Sequence, residues 1–198
     1  MAPILRVRRA KMKGDTLMPK ILVVDYDPGW PAAFESLRSR VWPHLQDVAL
    51  SIEHVGSTSV PGLAAKPIID MTIIVPGPAD VPIAITRLAK AGYAHRGDLG
   101  VTGREAFQAP EGLPAHHLYL CVAGNEALRN HLAVRDFLRA HPEAAREYGA
   151  LKKRLAESHT DDIDAYVEGK SEFLLAILAR SGFSLTELDA IRGINAKR

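Results

Sequence analysis

The chain has 198 residues, enough for one domain or one domain with an added helical layer, and its 47% hydrophobic content is ordinary for a globular protein. A formal net charge of +2 gives no bulk electrostatic case for nucleic acid or a membrane surface as a partner. The single cysteine, Cys121, excludes an intramolecular disulfide and sits in the apolar run Leu118 to Val122, where it reads as a buried thiol in a reducing compartment.

Met1 to Lys20 carries Arg6, Arg8, Arg9, Lys11, Lys13 and Lys20 against Asp15, with no clean periodicity. It reads as a disordered basic tail, or as the product of a start codon upstream of Met12 or Met18, in preference to a nucleic-acid-binding arm. This N-terminus lacks the apolar core of a signal peptide, and no apolar run reaches the roughly 18 residues of a membrane helix. A cytoplasmic protein is expected.

Residues 21–182 read as one domain. Ile21 to Val24 is a short apolar run, and Asp25 to Gly29 is a turn. Trp30, Phe34, Leu37 and Val41 fall on one face of a helix that Pro31 suits at its first turn and Pro43 ends. Val48 to Val55 is the first main strand. Gly56, Ser57, Thr58 and Ser59 break it with a small, hydroxyl-rich turn, and Val60 to Ala65 is compact enough for a turn of helix. Lys66-Pro67 restarts extended structure, and Ile68 to Val75 reads as a strand.

Pro76 to Pro78 turns the chain into a helix at Asp80, with Val81, Ala84, Ile85 and Leu88 inward, and Gly92 stops it. Tyr93 to Gly103 is glycine-punctuated, followed by Arg104. His117 to Val122 is another strand. Asn125 caps a helix to about Ala140, and Pro142 starts a second with Ala144, Tyr148, Leu151 and Leu155 on one stripe. Thr160 caps a third, helped by Asp161 and Asp162, which runs to Gly182. Residues 183–198 read as a tail.

One residue stands out. Asp70 is the single charge in an apolar strand, and a carboxylate there needs a partner, a cation or an open face. Lys170 is the corresponding anomaly among the helices, lying on the apolar stripe of Ile163, Tyr166, Phe173 and Ile177. Such a lysine snorkels to solvent or reaches an anion. Lys66, Arg104, Arg135, Lys152 and Lys170 would converge on a phosphate-bearing ligand if the helices pack against the Gly56-Ser57 turn. His131 shares one helix side with Arg135, and only one of His116 and His117 can face a site.

A strand, a Gly-Ser turn and an acidic residue on the next strand resemble the nucleotidyltransferase fold. That resemblance implies phosphates held at the turn and magnesium held by an Asp-x-Asp pair. Here Asp70 matches the first carboxylate and Thr72 stands at the second, so the pair is half missing. YDPGW at Tyr26 to Trp30, IEHVGSTSVPGLAAKPIID at Ile52 to Asp70, HHLYL at His116 to Leu120, HLAVRDFLRAHP at His131 to Pro142 and YVEGK at Tyr166 to Lys170 resemble the GrpB-like family.

The resemblance implies an α/β (α+β) nucleotidyltransferase-like mixed sheet with flanking helices and a C-terminal helical segment from about residue 125. It also implies a link to dephospho-CoA kinase, to which some members are fused. Such proteins commonly read HHLH where this chain has His116 to Tyr119. The expected chemistry falls on Asp70, Lys66 and His117. Ligand binding falls on His54, Gly56, Ser57, Thr58, Ser59, Arg104, His131, Arg135 and Lys170, and magnesium or manganese on Asp70. Three readings stay open: metal-dependent nucleotidyl or phosphoryl transfer, a non-catalytic nucleotide- or phosphate-binding module, and a purely structural turn.

Overall fold

The computed structural model describes residues 20–196, so the basic segment before Lys20 lies outside the described residues. A five-stranded mixed sheet forms the centre, in the order β1-β2-β5-β4-β3. Its strands are β1 (Ser51–Val55), β2 (Ile69–Val75), β3 (Ala94–His95), β4 (Arg104–Gln108) and β5 (His116–Val122). β1 runs antiparallel to β2, β2 parallel to β5, and β4 antiparallel to both of its neighbours.

Every residue of β2 is buried, which explains its nearly unbroken apolar run: a central strand covered on both faces has no solvent side to mark with polar residues. On one face, α1 (Trp30–Val41) and α2 (Asp80–Lys90) lay Trp30, Phe34, Leu37, Val41, Ala84 and Leu88 against Ile52, Met71, Ile73, Leu118 and Leu120.

The other face meets the C-terminal helices. α3 (Glu126–Ala140) packs against β1 and β5, and Asn125 caps it by accepting from the Leu128 amide at 2.8 Å. α4 (Pro142–Ser158) follows, then α5 (Ile163–Glu168), α6 (Ser171–Arg180) and α7 (Leu185–Ala196). Val60 and Leu63, from the loop after β1, join the second apolar cluster these helices build. The helical segment is thereby fastened to the Gly-Ser turn. The mixed sheet and C-terminal helices follow the expected architecture.

Three local expectations differ. The helical turn falls at Ser57–Ser59, one turn earlier than Val60 to Ala65, because Gly56 reverses the backbone with φ +69°. The single helix expected from Thr160 to Gly182 is two, α5 and α6. Asp162, not Thr160, caps the first by accepting from the Asp164 and Ala165 amides, and Gly169 ends it.

Residues expected as a C-terminal tail instead form α7, which buries Leu188 and Ile191 in the second cluster. The local signal is a capping box: Ser184 Oγ accepts from the Glu187 amide, and the Glu187 carboxylate accepts from the Ser184 amide.

Ile191→Ala tests that helix. With Ile191 1% exposed, truncation should cost about 2–5 kcal/mol in urea unfolding; a tail would register no change.

Candidate functional site

The site forms where β1 turns into β2. Parity along the strands sorts side chains between the two faces: Asp70, Thr72, His117 and Tyr119 lie on the helix-covered face, and His54 lies on the α1 face. Gly56 lets the two strands meet closely, since a Cβ there would stand 2.3 Å from Asp70 Oδ2. Any larger residue would also be strained at its positive φ.

The turn hydroxyls divide their work. Ser59 Oγ donates to the Gly56 carbonyl at 2.6 Å, and Thr58 Oγ1 donates to the Ile68 carbonyl at 3.3 Å. Arg139, from α3, donates twice to the Ser59 carbonyl at 3.0 and 2.8 Å. Thr58 and Ser59 therefore hold the turn itself, and Thr58 also lines the cleft beside it. Ser57 is different, because its Oγ accepts from Lys152 Nζ at 2.7 Å.

Lys152 is one of three lysines that line a single narrow cleft with Ser57, Asp70, Tyr148 and Tyr166. Lys66 arrives from the loop before β2, Lys152 from α4 and Lys170 from the corner between α5 and α6. Lys152 and Lys170 are 2% and 3% exposed, so neither snorkels. Each lies over an aromatic face: Lys170 Nζ is 4.5 Å from the Tyr166 ring centre and Lys152 Nζ is 4.6 Å from that of Tyr148. The cleft measures about 30 Å³. The buried Tyr148 hydroxyl has no hydrogen-bond partner among the described residues.

Asp70 is the only carboxylate lining that cleft among the described residues. Burial pushes the Lys170 ammonium from 10.5 down to about 7, with repulsion from Lys66 adding and Asp70 opposing. Burial holds Lys152 well below the usual lysine range, with Lys170 repelling it further, and burial also lowers Lys66. Three lysines thus share the cleft with one carboxylate, and burial works against the charge of each.

Asp70 Oδ1 pairs with His117 Nδ1 at 3.0 Å, a contact set by the parallel register that places the two residues opposite each other. Thr72 is fully buried, and its Oγ1 lies 3.3 Å from His131 Nδ1. The position of the second carboxylate is thus taken up by a threonine–histidine contact. Magnesium wants several oxygen ligands; this cleft offers one carboxylate among ammonium groups. No group of three His, Cys, Asp or Glu residues suited to a metal ion occurs among the described residues. The donor set does not fit a divalent cation, and no step here is routed through one.

Other expected site residues lie elsewhere. His54 stays beside the turn, its Nε2 3.1 Å from Thr58 Oγ1, but its ring stacks on Phe34 at 4.6 Å on the α1 face, and burial lowers its imidazole to about 4. Arg135 pairs with Glu53 at 2.8 Å and Asp136 at 2.7 Å, and donates to the His54 carbonyl, latching α3 to β1. Arg104 is buried over the Tyr119 ring at 4.5 Å and donates to the Asp98 carbonyl. His131 packs against Tyr119 behind Thr72, and burial lowers it to about 4. The sequence reading passed over Tyr148, Tyr166 and Arg139 as site residues. A repeated signal marks the tyrosines: each precedes a buried lysine by four residues, one helical turn, as Tyr148-Lys152 and Tyr166-Lys170.

The profile described as GrpB protein matches residues 20–180. UPF0157 protein YqkA of Bacillus subtilis is 39% identical over 155 residues, which cover 78% of this chain and 45% of YqkA, so the chain spans less than half of that relative's length. A protein of Mycolicibacterium paratuberculosis named dephospho-CoA kinase is 28% identical over 76% of this chain and 43% of its own length. The crystal structure of conserved protein GrpB from Enterococcus faecalis superposes with a TM-score of 0.73 at 37% identity, over 81% of this chain and 96% of that one. Among the described residues, no helix is long and apolar enough to cross a membrane.

The lysine cleft should tax stability. Because Lys170 titrates near 7 when folded and near 10.5 when unfolded, the unfolded chain binds more protons between those values. Stability therefore rises as pH increases from 7 toward 10. Lys170→Met should raise the unfolding free energy at pH 7 by about 1–4 kcal/mol and remove part of that slope, read by urea unfolding at pH 7 and 9.5.

Proposed function

The chain belongs to the GrpB family, and from that premise we propose that it binds a phosphate-bearing small molecule, a nucleotide being the expected class, in the cleft of Lys66, Lys152 and Lys170. The observation that carries this reading is the cluster of three lysines, two of them buried and one half-buried, facing a single carboxylate. Such a cluster is costly when empty, because burial and mutual repulsion both disfavour its charge. A phosphate brings about two negative charges and several acceptor oxygens, which restore the balance and satisfy the lysine donors. The unbonded Tyr148 hydroxyl supplies a neutral donor to the same space. Ser57, already on Lys152, orients that ammonium group.

Anion binding at this cleft rests on side chains more than on the turn. Ser57–Ser59 is one short 3-10 turn without the aligned peptide dipoles of a long helix. Asp70 has two effects: it fixes His117 and partly neutralises the lysines. A two-metal transfer mechanism finds little support, because Thr72 supplies no second carboxylate. Binding without turnover is therefore the reading favoured over nucleotidyl transfer. The same proposal sets the protein in the cytoplasm, which suits the free, buried Cys121. It also keeps a dephospho-CoA kinase as a proposed partner, supported by the name of the Mycolicibacterium relative.

Calorimetric titration with inorganic pyrophosphate, with and without magnesium, tests the cleft. Saturable binding is expected, no tighter with magnesium, and with net proton uptake at pH 8 as the lowered lysines recharge. Lys152→Met should weaken it about 10- to 150-fold, the loss of a hydrogen bond to a charged group worth about 1.5–3 kcal/mol. No binding at millimolar pyrophosphate would refute the proposal.

A further inference from the structure

A second cavity opens at the same end of the sheet. It measures about 450 Å³, within the usual range for small-molecule sites, against about 30 Å³ for the lysine cleft. The two adjoin: Ile68 lines both, Asp70 lines the cleft and His117 lines the cavity. Asp70 and His117 stand opposite each other in the β2–β5 register, in contact at 3.0 Å.

Aromatic and apolar side chains form the cavity. The His117 and Tyr119 rings face it nearly parallel, 17° apart with centres 6.3 Å from each other, and Phe107 lines it from β4. Tyr119 is held rigidly, with the Arg104 guanidinium on its ring and His131 against it. Leu99 and Leu113 close the sides. Polar groups enter at the rim, where Arg96 donates to the Gln108 side-chain carbonyl. Aromatic walls with a donor–acceptor pair at the mouth suit a flat ring carrying polar atoms on its edge, which stacks by its faces and hydrogen-bonds by its rim. A flexible hydrocarbon would leave that rim unmatched.

We propose that the cavity receives the planar heteroaromatic group of the same ligand whose phosphate lies on the lysines, so that one nucleoside phosphate-like molecule spans both spaces across the Asp70–His117 pair. This rests on the anion-binding reading of the cleft. It assigns the selectivity of that site to β4, β5 and the loop of residues 109–115, elements that do not line the lysine cleft. Ala106 stands opposite Tyr119 in the sheet, is 3% exposed and lines the cavity. A larger side chain there would occupy the ring's space while leaving the cleft untouched.

The experiment compares inorganic phosphate, ribose 5-phosphate and adenosine and uridine monophosphates by calorimetry, on the native protein and on Ala106→Trp. Leu113→Trp, on the loop, serves as a second block should the strand variant fail to fold. The native protein should bind at least one nucleoside phosphate tenfold or more tighter than ribose 5-phosphate. A blocked variant should lose that gain while keeping its affinity for inorganic phosphate, which also shows that it is folded. Equal affinity for ribose 5-phosphate and both nucleotides overturns the proposal and leaves the lysine cleft standing. A gain that survives in a folded blocked variant overturns it as well. Absence of binding by every phosphate, the inorganic ion included, removes the cleft reading beneath it.

Discussion

Three lysines beside one carboxylate, Lys152 and Lys170 buried and Lys66 half-buried, form the constraint on which the rest of this structure turns. Charge in a protein interior is retained only where something offsets the lost hydration. Here the offsets are partial: two tyrosine faces, a serine hydroxyl and Asp70. The lysines come from three separate parts of the chain, so the cleft exists only when α4 and the α5–α6 corner are seated on the sheet. Val60 and Leu63 seat them by joining the helical cluster, and Arg139 grips the turn from α3. The missing Cβ of Gly56 then leaves room for the Asp70 carboxylate.

The sheet divides two tasks by parity. Odd-numbered residues of β2 fill the apolar layer under α1 and α2, and its even-numbered ones face the C-terminal helices. On that second face, polar groups meet polar groups: Asp70 with His117, Thr72 with His131, Arg135 with Glu53. Each pairing removes one candidate from direct work on a ligand. What remains lining the cleft is the lysine set, Ser57, Thr58 and the two tyrosines, with the buried Tyr148 hydroxyl unbonded among the described residues.

Much of this was legible in the sequence. Asp70 and Lys170 each broke an apolar pattern, and both line the cleft. The helical stripes placed α1, α2 and α4 because a 3.6-residue period needs no tertiary knowledge, and the Asn125 cap placed α3. Strand parity does need it: His54 does neighbour the turn, its Nε2 3.1 Å from Thr58 Oγ1, yet its ring stacks on Phe34 under α1 and does not line the cleft. Arg135 looked like a free cation because its partner Glu53 lies 82 positions away. Gly169 hid the break between α5 and α6, since an isolated glycine is tolerated inside a helical pattern. α7 was missed because Gly182 ended the reading, although the Ser184–Glu187 capping box was present. Magnesium was expected from the turn and Asp70, but the lysines around that carboxylate appear only once the helices are folded.

The most direct measurement is the effect of Asp70→Asn on pyrophosphate affinity in the presence of a chelator. Asparagine keeps the shape of the side chain and removes its charge. If the cleft is an anion site built from lysines, deleting its one carboxylate lessens repulsion toward the ligand, and binding tightens. If Asp70 instead anchors a metal that carries the phosphate, the native protein loses its binding in chelator and the variant shows none under any condition. That second outcome would contradict the account.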